Sequence, residues 1–442
     1  MDKFIINGGK RLFGKASVSG AKNVALKAIV AACLTNEEVT IENVPLISDV
    51  FVMLEIVKEL GGEARVLDHK VTIKMSDFKV SKIDLERGAE VRTSVMFLAP
   101  LLARKNEAIV PNPGGCRLGA RPIDRTIDGL RSLGADIKYI SEDGYFHAKT
   151  DGLKGATYKF DKNTHTGTET LLIAASLSAG KTILKNAAQE PEIDELISLL
   201  NKMGAKIKRP EPRTIEIDGV GRLYGTDFTI APDRNEVVTL AIASIITKGD
   251  IFIEDVRREG LEAFLEKLEE AGAGVETTKE GIRFFYKESL RAVDVTTSPY
   301  PGFMTDWQAP WAVLMTQAAG SSIIHETVFE NKLSYIQDLK KMGAKMRLFN
   351  PKVSNPEEVY NFNLSDDQPK YFHAVKIKGA SSLHNAVLTM QNIRAGAAVV
   401  IAALAARGES VILEVHHLDR GYERLEERLN SLGANITREN EN

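Results

Sequence analysis

The sequence predicts an α/β protein of two domains, each built from three βαβαββ-like repeats with pseudo-threefold symmetry. Three observations point there. At 442 residues the chain exceeds the size at which a single hydrophobic core keeps growing, so two domains are expected. Six segments end a helix-like pattern with Gly and then turn extended: LGGEARV, LGADIKY, MGAKIKR, AGAGVET, MGAKMRL and LGANITR. Their glycines fall at 61, 134, 204, 272, 343 and 433, a period near 70 with extra residues in the last interval. Ahead of each glycine lies a second helical run rich in small apolar residues.

The elements follow from these patterns in chain order. The opening KFIINGGKRLFGKASVSG reads as two strands about an Asn-Gly turn. The runs AKNVALKAIVAACL, RTSVMFLAPLLA, TETLLIAASLSA, EVVTLAIASIIT, QAPWAVLMTQAA and RAGAAVVIAALA are apolar on every face, so these helices are buried all round. Stretches such as DVFVMLEIVKELGG and GLEAFLEKLEEAGA are amphipathic and lie at a surface. Their terminal glycine suits a helix C′ position, where positive φ costs it little and the chain turns into a strand. The break between domains falls near Ile230 to Val238, where Pro232 interrupts the pattern. The expected division is 22–231 against 1–21 plus 232–442, so the opening strands and the helix after them have different owners. Residues 347–372, rich in Asn, Pro and Asp, read as a surface excursion.

Composition removes several function classes. Basic and acidic residues nearly cancel, 57 against 60, so nothing draws the whole surface to nucleic acid or an anionic membrane, and anion binding must come from local clusters. MDKFIINGGK lacks the basic and apolar regions of a secretory signal, and no apolar run reaches the roughly 18 residues of a membrane span. Cys33 sits in an apolar run and Cys116 in a loop, so no disulfide framework suggests itself and a cytoplasmic setting is expected. No GxxxxGK[ST], HExxH, paired CxxC or GxSxG occurs. His416 and His417 read as strand neighbours facing opposite ways, so no metal is expected.

What remains are polar groups at corresponding edges of the repeats. Lys22 and Asn23 open the first buried helix, where backbone donors favour an anion; an ordinary helix start with a solvated lysine fits as well. Arg92 and Arg394 open the second and sixth. Arg121 precedes Pro122, which suits a helix N1 position, and could grip phosphate or carboxylate as readily as form a surface salt bridge. Asp306 in TDWQAP fits an N-cap or a base. Arg420 and Gly421 stand just ahead of the last helix. With parallel buried helices, such N-termini can line one cleft suited to small polyanions. Cys116, in NPGGCRLGARPID with Arg117 and Arg121 near it, is a candidate acid, base or nucleophile; a packing cysteine is the alternative, which a glycine-rich loop disfavours.

SGAKN, NVP, PGGCRLGARPID, AAQEPEI, APDR, TDWQAP, ETVFEN and HLDRGYERLEERL appear in an order and spacing that resembles the enolpyruvyl transferases from end to end. The resemblance implies two inside-out α/β domains with the active site in the cleft between them, closing over substrate. It implies transfer of the enolpyruvyl group of phosphoenolpyruvate to the 3-hydroxyl of UDP-N-acetylglucosamine through a tetrahedral intermediate, a step of peptidoglycan synthesis, with no cofactor. By motif, Cys116 would protonate the methylene carbon and Asp306 would act as base. Lys22, Arg121 and Arg420 would hold phosphate and carboxylate. Asn23, Arg92, Arg121, Pro122, Ile123, Asp124, Arg125, Lys162, Gly167, Val328 and Arg394 would meet the substrates. The chain departs from the family at Asn392, where an aspartate is usual, at Ser48, Met96 and Lys332, and in THTGTET (164–170). These leave open a paralogue with another acceptor, or a regulator that binds UDP-sugar.

Overall fold

Three buried helices touching one another form the centre of each half of the molecule. A computed structural model describes residues 2–114 and 122–440, which divide into two units: 20–114 with 122–231, and 2–19 with 232–440.

In the first unit the central helices are Lys22–Ala32, Leu98–Lys105 (continuing the 3₁₀ turn Arg92–Phe97) and His165–Ser176. Outer helices Ser48–Glu59, Asp124–Ser132 and Pro191–Lys202 complete the repeats. Each repeat pairs a lead strand in parallel with the strand after the buried helix, followed by an antiparallel hairpin. In one sheet Thr226–Thr229 runs parallel to Glu38–Glu42, which pairs with Lys70–Lys74 and then Glu63–Leu67. In the middle repeat the lead strand shrinks to a bridge between Lys82 and Ile109.

The second unit repeats the plan around Arg234–Ile246, Gln308–Gln317 and Ile393–Ala405. Every residue of Arg234–Ile246 is buried, the apolar run from Val237 as its pattern demands and the polar first turn, Arg234 to Glu236, along with it. The six shared glycines all have positive φ, from +89° to +106°, so each closes its outer helix where a Cβ would be strained.

The N-terminal stretch differs from its reading. Asp2–Asn7 and Phe13–Ala16 are strands, but they do not form a hairpin. The first lies between Glu409–Leu413 and Ile436–Asn440, supplying the final strand of the sixth repeat; the second runs parallel to Asp250–Glu254. Asn-Gly serves close approach instead of a hairpin turn, since a Cβ on Gly8 would lie 2.3 Å from the carbonyl oxygens of Ala403 and Ala406. Phe13–Ala16 thus leads the helix at 234, and Thr226–Thr229 leads the helix at 22.

Two further readings change. His416 and His417 lie in a 3₁₀ turn, Val415–His417, that follows Glu414 at φ +61°; their rings are 4.3 Å apart and tilted 38°, so they sit side by side, not on opposite faces of a strand. With Glu414 they form the one group of three or more His, Cys, Asp or Glu among the described residues whose potential ligand atoms all lie within 4.8 Å of each other. The excursion is mostly exposed, yet Tyr360 and Phe362 are buried and stack at 4.9 Å beside His373 and His325.

Candidate functional site

Cys116 and Arg121 lie outside the described residues. The other cysteine, Cys33, is fully buried, and burial pushes its thiol up to about 12, far from a reactive thiolate.

In the first unit, Lys22 is the first residue of its helix and almost buried; its Nζ meets Asp49 Oδ2 at 2.7 Å. Asn23 follows it, half-buried. Arg92 opens a 3₁₀ turn, not the α-helix itself, and Met96 is buried within that turn. Pro122 is not at N1: the outer helix begins at Asp124, with Ile123 as cap. Ile123 is buried, and anchoring it starts the helix two residues beyond Pro122. Arg125 reaches across to Asp161 at 2.8 Å, next to half-buried Lys162. Thr164 caps the third central helix by accepting the amide of Gly167 at 3.2 Å, and a Cβ at 167 would lie 2.5 Å from the Thr164 methyl. One turn on, Glu169 is fully buried, with Lys27 Nζ at 3.4 Å and His165 Nδ1 at 3.2 Å.

In the second unit, Asp306 sits within the 3₁₀ turn Thr305–Trp307 and caps nothing. Its Oδ1 accepts from Lys332 Nζ at 2.7 Å and its Oδ2 faces Arg394 Nε at 3.4 Å. Burial pushes the carboxyl's pKa up, but the two cations prevail and hold it well below the usual carboxylate range. Arg394 is buried, lies over the Tyr422 ring at 5.3 Å, and leaves Nη1 without a hydrogen-bond partner among the described residues. Tyr422 in turn bonds Thr239 at 2.8 Å. Asn392 caps the sixth central helix, its Oδ1 accepting the Ala395 amide at 2.9 Å, so the position has a helix-forming use that needs no ionisable group.

Arg420 is not just ahead of the last helix, which starts at Leu425; it lies in a turn that Gly421 lets approach Ile393. Val328 follows a strand end whose Glu326 is fully buried and accepts the Val328 amide at 2.8 Å. The structure therefore joins Asp306 to Arg394. Sequence reasoning passed over Lys332 as a mere departure and missed Asp49, Tyr422 and Glu326. A usable signal existed for Lys27 and Glu169, which are charges inside helices otherwise apolar on all sides.

An acidic group pinned between two cations, one with a spare donor, suits an anionic ligand with an exchangeable proton nearby. A family profile described as EPSP synthase (3-phosphoshikimate 1-carboxyvinyltransferase) matches residues 6–429. The chain is 42% identical to a UDP-N-acetylglucosamine 1-carboxyvinyltransferase of Beijerinckia indica, covering 99% of both chains. It is 40% identical to one of Koribacter versatilis, covering 99% of this chain and 96% of that one. Among solved structures, the enolpyruvyl transferase NikO of Streptomyces tendae superposes with TM-score 0.86 at 24% identity, covering 99% and 98% of the two chains. EPSP synthase of Acinetobacter baumannii does so at 0.73 and 18% identity over the whole of both. At these identities the two structures show the fold.

Proposed function

This chain belongs to the EPSP synthase family of enolpyruvyl transferases, and we propose that it transfers the enolpyruvyl group of phosphoenolpyruvate to the 3-hydroxyl of UDP-N-acetylglucosamine, releasing phosphate. The names of relatives at 40–42% identity support the acceptor. The observation that carries the chemistry is Asp306 held by Lys332 and Arg394, with Arg394 Nη1 lacking a hydrogen-bond partner among the described residues.

The reaction adds the sugar hydroxyl to C2 of phosphoenolpyruvate while a proton goes to the methylene carbon. Loss of a proton from that carbon then expels phosphate and restores the double bond. Cys116 supplies the first proton, and Asp306 takes the proton of the hydroxyl. A carboxylate with so low a pKa is a poor base. An anionic substrate that draws Lys332 and Arg394 toward itself weakens their hold, and Asp306 gains basicity as the substrate binds. Lys22 and Arg420 add cations for phosphate and carboxylate, while Asn23, Arg92, Arg125, Lys162, Gly167 and Val328 belong to the UDP-sugar side. No helix among the described residues is long and apolar enough to cross a membrane, in keeping with a cytoplasmic step of peptidoglycan synthesis on a water-soluble substrate.

Incubation with phosphoenolpyruvate and UDP-N-acetylglucosamine is expected to release phosphate in proportion to protein. Asn392, a cap where the family usually has a carboxylate, favours one second reading, a paralogue with a different acceptor. A panel of UDP-sugars decides: release with another sugar and none with UDP-N-acetylglucosamine would replace the first acceptor with the second.

A further inference from the structure

We propose that Glu326 is a positioning residue that fixes Asp306 and the backbone at Val328 relative to each other, an inference that rests on the activity proposed above. Glu326 follows the strand Ser321–His325 and has no exposed surface. Its own amide donates to the carbonyl of His373 at 2.7 Å, so its backbone is anchored to the sheet.

The two carboxylate oxygens divide their work. Oε1 accepts the amides of Val328 at 2.8 Å and Phe329 at 3.0 Å. Oε2 accepts the hydroxyl of Thr305 at 2.8 Å, and Thr305 begins the turn that contains Asp306. Residue 327 is tied independently, its amide to Thr297 Oγ1 at 2.9 Å and its carbonyl to the Asn361 amide of the excursion at 2.8 Å. Amides 328 and 329 point instead to the carboxylate. One rigid, water-excluded group therefore sets both the orientation of the base and the height of the backbone assigned to the UDP-sugar. Three donors on a buried carboxylate also hold it against rotation. Reacting groups displaced by about 1 Å can cost a hundredfold in rate, so such a clamp is worth keeping even without contact to substrate.

The test is steady-state phosphate release with phosphoenolpyruvate and UDP-N-acetylglucosamine, alongside circular dichroism and thermal melting. Thr305→Val cuts only the Asp306 arm: kcat is expected to fall roughly tenfold with KM for UDP-N-acetylglucosamine within about twofold, and Thr305→Ser is expected to restore kcat. Glu326→Ala removes both arms, so kcat falls and KM rises, each by roughly tenfold or more. Glu326→Gln, whose Oε1 can still accept both amides, should recover most of KM. If Glu326→Ala does not fold, the Thr305 pair alone decides. The inference fails if the wild type turns over while folded Glu326→Ala and Thr305→Val keep its kcat and KM and lose only thermal stability. A silent wild type instead removes the activity reading, and the role of Glu326 with it.

Discussion

Asp306 shows how far a single residue's chemistry depends on its neighbours. TDWQAP by itself favours a cap over a base; two cations far along the chain, at 332 and 394, hold the carboxylate instead. Asp306→Asn is expected to lower kcat by about 10²–10⁴ without changing the melting curve's shape, the usual range for losing a general base. Lys332→Met removes one of the two groups depressing the Asp306 pKa. The acid limb of the kcat profile should therefore move to higher pH than in wild type; an unmoved limb would show that Asp306 is not the group titrating. The two cysteines make a further contrast. Because burial pushes Cys33 up to about 12, native protein should show one fast thiol with an aromatic disulfide reagent, and Cys116→Ala none until unfolded. Residue types at the site were legible in the sequence because motif spacing places them. Their partners were not, because ion pairs across 26 or 88 residues leave no local pattern.

At the scale of elements, patterns repeated six times were legible and singular ones were not. The glycine closing each outer helix was readable because positive φ is a local demand. A second set has no local signature. Gly8, Gly219 and Gly379 each end a strand against the last carbonyls of a central helix: Ala403 and Ala406, Ala175 and Ser178, Met315 and Ala318. Their amides donate to Gly408, Gly180 and Gly320 in turn. The same contact thus recurs in three repeats, and the Asn-Gly pair at the N-terminus reads locally as a hairpin turn because its partner is a helix some 400 residues away. A Cβ at 219 would stand 1.7 Å from the Ser178 oxygen, so Gly219→Ala should cost about 1–3 kcal/mol, readable as a shift in denaturant midpoint at constant m. The excursion at 347–372 misled in the other direction, since polar composition concealed two aromatic anchors, Tyr360 and Phe362.

The whole molecule carries two separate hydrophobic cores, one per unit, and the first encloses charge. Burial pulls the His165 pKa down, yet the Glu169 and Glu192 carboxylates win and push it from 6.5 up to about 10. Between those values the folded chain binds a proton that the unfolded chain does not. The resulting stability is fully present below about pH 6.5 and is lost as pH rises toward about 10. Thermal melts across that window should show the decline, and His165→Phe should flatten it. Lys27→Met, which leaves Glu169 one partner short, should cost about 3 kcal/mol, measurable by denaturant titration. The placement of Asp2–Asn7 beside Ile436–Asn440, with Asp2 opposite Asn440, has a consequence for the gene. A short peptide joining Asn440 to Asp2, with a new start codon at Gly20, would yield a circular permutant in which residues 20–231 and then 232–440 with 2–19 are each an unbroken stretch.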